Sequence, residues 1–165
     1  MMSNFIHLQT KSHYSISCGL PKTNEIVDKA IEAGMKAVAL ADKNTFFGLV
    51  KFYNYALSKG IKPICGVDFD VKVNNGYTNL IPLAKNKKGL EKLFKLSTES
   101  FVQSGSEKRS IPEKDILNDA DNLVCIIPTS SNNLRNLALK KDEDSIVNLY
   151  ICLLYTSDAA DESVS

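Results

Sequence analysis

The stretch "KAVALADKNTFFGLVKFYNYALSKGIKPICGVDFDV", residues 36–71, decides the fold. It opens with an apolar run, "KAVALAD" (36–42), that ends on a carboxylate. Phe46, Leu49, Val50, Tyr53 and Leu57 then recur at helical spacing up to Gly60, a residue that stops helices. "KPICGVDFDV" (62–71) reads as a second strand. Strand, helix, strand with short connectors is a parallel βαβ unit, and a right-handed crossover lays its two strands side by side.

The same alternation extends in both directions. "FIHLQT" (5–10) reads as a strand, and Ile26, Val27, Ala30 and Ile31 mark one face of a helix over 23–33. Pro21 and Thr23 lie near its start, and Gly34 is its stop. Further on, "NNGY" (74–77) is turn chemistry and "TNLIPLA" (78–84) a strand whose Pro82 predicts an edge or a bulge. Leu90, Leu93, Phe94, Ser97 and Phe101 line a helix, and "SGSEKRS" (104–110) is a loop. Ser110 with Glu113 predicts a capping box for a short helix at 111–118. "NLVCIIPT" (122–129) is another strand, and 131–140 is helical. Apolar runs such as Ala37–Leu40 and Leu123–Ile127 suit a sheet covered on both faces. A (β/α) barrel and a doubly wound sheet both fit, though five strands are too few to close a barrel.

Composition narrows the class. With 165 residues, 44% of them hydrophobic and 24% charged, the chain has the makings of one soluble domain. A net charge of +1 leaves no electrostatic footprint for nucleic acid or a membrane. Cys18, Cys65, Cys125 and Cys152 form no C-x-x-C pair. Cys65 and Cys125 sit in apolar runs and read as buried thiols of a reducing compartment. No run is long enough for a membrane span and no signal-peptide core is present, so a cytoplasmic location is expected. After Lys141 there is no Lys or Arg, and Ser, Ala and Asp take over. The expected division is a domain over 1–150 and a disordered or non-native tail over 151–165, where "CLLYTSDAADE" resembles translated sequencing adapter.

Active sites of barrels and open α/β sheets gather at the carboxyl ends of parallel strands. Those ends hold Gln9 and Lys11, then Asp42 and Lys43, then Asp68. Gln9, Lys11 and His13 also alternate, which points them to one face of a strand. Two carboxylates with two ammonium groups are not a metal site, because a protonated lysine has no lone pair to donate. "DFD" (68–70) imitates the paired carboxylates of a polymerase palm, but no third carboxylate accompanies it. His7, the other histidine, reads as an interior residue, and the basic "KNKKGLEK" (85–92) as a solvated face. No Gly-rich phosphate loop occurs.

From Phe5 to about Pro128 the sequence resembles the polymerase-and-histidinol-phosphatase (PHP) domain at the start of bacterial DNA polymerase III alpha subunits. "GLVKFYNYALSKGIKPICGVDF" (48–69) and "PLAKNKKGLEKL" (82–93) carry the likeness most specifically. The resemblance implies a distorted, TIM-like (β/α)7 barrel, of which this α/β chain is the first half. The metal-binding form of that family has H-x-H after strand one, a following Asp, Asp-His after strand two and Glu after strand three. Here Gln9 and Lys11 stand at the H-x-H, Cys18 at the Asp and Lys43 at the second-strand His. Asp42 is retained, and Asp68 stands for the Glu. The likeness therefore implies a degenerate former metal site with no metal and no catalytic activity of its own. On this reading Lys11 and Lys43 replace the charge of the lost cation.

Its implied parent is a DNA-directed DNA polymerase that uses Mg²⁺ at palm aspartates outside this chain. The implied partners are a proofreading exonuclease subunit and other replicase subunits, with DNA contacted by the parent and not by this segment. A second reading, a free-standing metal-dependent phosphoesterase like histidinol phosphatase, needs ligands that Gln9, Lys11 and Lys43 contradict.

Overall fold

The computed structural model describes residues 5–73, 76–103, 108–118 and 120–128. The expected helix at 131–140 and tail at 151–165 lie outside the described residues. The chain divides into two compact units, Met1–Asp68 and Phe69–Ser165.

In the first unit, helix α1 (Thr23–Glu32) is followed by strand β1 (Ala37–Lys43), helix α2 (Leu49–Ser58) and the start of strand β2 (Lys62–Val73). β1 and β2 pair in parallel from Ala37↔Lys62 to Lys43↔Asp68, as expected of a βαβ unit. Ala37 to Ala41 are all buried. Both helices end in the same way. Gly34 and Gly60 take φ of 72° and 74°, and the residue after each donates back five positions, Met35 to Ala30 O and Ile61 to Ala56 O. Only glycine enters that left-handed conformation without steric cost.

Two expectations need correction here. "FIHLQT" is not a regular strand. Ala39 N donates to His7 O and Ala41 N to Thr10 O, so two residues of β1 are matched by three of the first segment. The extra residue breaks the ladder as a bulge does, and the Thr10 hydroxyl bonds Ala39 O in its place. Three of the five periodic residues of the second helix also face away from the core, although Leu49 does reach it. α2 buries Leu49, Phe52 and Ala56, while Val50, Tyr53 and Leu57 are exposed. It starts at Leu49 rather than Phe46, after Thr45 Oγ1 accepts from Phe47 N at 3.2 Å. Ile31 of α1 is likewise exposed.

The second unit holds the far end of β2, strand β3 (Gly76–Ala84), helix α3 (Lys87–Gln103) and strand β4 (Ile111–Pro112). Helix α4 (Glu113–Leu117), a 3-10 turn at Ala120–Asn122 and strand β5 (Leu123–Ile126) follow. The hydrogen-bonded order is β1-β2-β3-β5, with β4 on β2. β2 and β4 are parallel, but β3 and β5 are antiparallel, so the sheet is mixed.

Pro82 is neither at an edge nor at a bulge: β3 lies between β2 and β5, and its register runs evenly through Pro82↔Cys125. N–H groups alternate between the two neighbours of a strand, so one proline leaves the ladder on its other side intact. No capping box forms at Ser110. Ile111 precedes a proline, stays extended and pairs with Val71, so α4 begins later, with Pro112 as N-cap. α3 buries Leu93, Leu96, Ser97 and Ser100, whereas Phe94 and Phe101 are exposed, with Arg109 lying 3.8 Å over the Phe101 ring. Val124 of β5 is also exposed, so that strand is not covered on both faces.

Candidate functional site

The parallel register of β1 and β2 ends by setting Lys43 beside Asp68. Asn44 then takes a positive φ of 51°, and its N–H donates to Asp68 O at 3.0 Å, so the chain leaves the rim sharply. The segment before α1 is bound to β1 through Thr10 and brings Lys11 to the same place. Asp68 is buried, yet it meets two cations. Its Oδ2 lies 2.5 Å from Lys11 Nζ and its Oδ1 lies 3.0 Å from Lys43 Nζ. The lysine side chains are only 21% and 24% exposed. Charge-assisted bonds of this length in a shielded position are strong, provided neither partner is lost.

Asp42, one residue from Lys43, is buried by different means. Its Oδ1 accepts from Ser12 N at 2.7 Å and from Ser15 Oγ at 2.6 Å, and its Oδ2 accepts from Ser12 Oγ at 2.7 Å. Ser15 Oγ in turn accepts from Lys43 N at 2.9 Å. The carboxylate therefore organises the 12–19 loop through neutral donors, and the lysines serve Asp68. Of the two carboxylates at these strand ends, Asp68 meets the lysines and Asp42 the serines.

The remaining sequence candidates lie apart from this cluster or outside its bonding. Gln9 and Cys18 are exposed. His13 is exposed and its ring lies 4.3 Å from that of Tyr14. His7 is exposed rather than interior, edge-on to Phe5 at 4.8 Å. Asp70, in the second unit, pairs with Lys108 at 3.2 Å and accepts from Asn79 at 3.3 Å. Sequence reasoning missed Ser12 and Ser15. The run "KSHYSISCG" carried a signal, because serines beside a buried carboxylate are its natural neutral donors.

The donor set does not suit a divalent cation. Asp68 is held by two ammonium groups that would repel the ion, and three bonds already hold Asp42. Among the described residues, no group of three His, Cys, Asp or Glu is placed to hold a metal.

The described cysteines differ in reactivity for a simple reason. Burial pushes the thiols of Cys65 and Cys125 up to about 11 from an ordinary 9.0, with Lys92 pulling Cys125 slightly back. Iodoacetamide at about pH 8 is therefore expected to label Cys18, which is exposed, and to spare Cys65 in the folded chain, as read by peptide mass. The folded state keeps these protons where an unfolded thiol loses them. Stability from this source is intact below about pH 9 and falls as pH rises towards 11, by roughly 1.4 kcal/mol per thiol per pH unit.

With the geometry in place, comparison with known proteins defines the class. A family model described as "PHP domain" matches residues 7–156, and the chain belongs to that family. Its curated relatives are more particular. DNA polymerase III subunit alpha of Buchnera aphidicola (from Schizaphis graminum) is 31% identical over 151 residues, covering 89% of this chain and 13% of that protein. The Borreliella burgdorferi subunit alpha is 33% identical over 134 residues, covering 74% and 12%. The Escherichia coli K12 subunit alpha is 38% identical over 116 residues, covering 68% and 10%. The chain thus spans roughly a tenth of the relatives it matches. Among solved structures, a protein assigned as a metal-dependent phosphoesterase from Bifidobacterium adolescentis superposes with a TM-score of 0.50 at 13% identity. It covers 63% of this chain, which spans 36% of it, and the likeness is one of fold. No described helix is long and apolar enough to cross a membrane.

Proposed function

We infer that this chain is the PHP portion of a replicative DNA polymerase alpha subunit, in which it serves as a metal-free scaffold. The parent polymerase would add deoxynucleotides to a primer 3′ end, with Mg²⁺ held by aspartates elsewhere in the polypeptide. The observation that carries this reading is the pairing of Lys11 and Lys43 with Asp68. Two ammonium groups supply the positive charge that a cation would otherwise bring to a carboxylate rim. Gln9 and Cys18, at the positions where the resembled metal-binding form carries ligands, are exposed and support the same reading.

A scaffold that has lost its hydrolytic metal keeps a role in assembly. The partner that fits a replicase is a proofreading exonuclease subunit docked on this domain, alongside the other replicase subunits.

The test has two parts. Thermal unfolding in excess EDTA is expected to match that in buffer, and titration with the purified exonuclease subunit is expected to give saturable heat. Mn²⁺-dependent hydrolysis of a phosphate monoester, abolished by EDTA, would overturn the scaffold reading in favour of a phosphoesterase.

A further inference from the structure

We draw no further inference here: the strongest candidate, the largely apolar groove that the first segment, α1 and β1 form around His7, Ile26, Ala30, Met35 and Val38, carries nothing, because nothing in the structure shows what covers it.

Discussion

Replacing Lys11 and Lys43 together by alanine is expected to lower the unfolding free energy by about 3–5 kcal/mol. Asp68 is buried and its carboxylate faces both ammonium groups, so the double variant leaves a shielded charge without its cations. For scale, one such pair at ~4 Å gains roughly 4 kcal/mol in an effective dielectric near 20, before desolvation is subtracted. Either lysine alone still provides a counter-charge. Each single variant should therefore cost much less than half of the double, and the pair should be strongly non-additive. Urea denaturation of the four proteins measures this directly. Adding Asp68→Asn to the double variant removes the stranded charge and should recover most of the loss. A double variant as stable as the parent chain would mean that water, and not the lysines, solvates Asp68. EDTA should leave all of these proteins unchanged, which separates charge replacement from a weak metal site.

Much of this rim is legible in the sequence, for reasons that particular residues make clear. A parallel βαβ unit follows from "KAVALAD", an intervening helix and "KPICGVDFDV", and its register alone places Lys43 next to Asp68. The division of labour between the carboxylates is not legible. Strand ends locate Asp42 and Asp68 equally well, and only the fold of the 12–19 loop gives one to serines and the other to lysines. Periodicity finds α2 but mixes its buried Leu49 with the exposed Val50, Tyr53 and Leu57, because that helix has two apolar faces and spacing cannot rank them. The first segment fails as a strand because one extra residue shifts the ladder, a change invisible to an alternation rule. At Ile111 a local proline effect and pairing with Val71 outweigh a plausible cap at Ser110.

Asp42→Ala is expected to be the most damaging single change at this rim, while Asp42→Asn should be mild. Alanine strands Ser12 N, Ser12 Oγ and Ser15 Oγ in a buried space, and each unsatisfied group costs about 1–3 kcal/mol. Hydroxyls can rotate to other partners, and Ser15 Oγ still accepts from Lys43 N, so a total of about 3–5 kcal/mol is expected. Asparagine keeps an oxygen where Ser12 N and Ser15 Oγ meet, and its amide can donate to Ser12 Oγ. Its cost should stay near 1 kcal/mol, since no cation among the described residues pairs with Asp42. The two substitutions thus separate hydrogen bonding from charge at the residue this chain shares with the metal-binding form it resembles. If Asn is as damaging as Ala, negative charge is what matters at 42, and a cation is its natural partner. If Asn is tolerated and Ala is not, Asp42 has become the anchor of a serine-lined loop, the role its three neutral donors describe.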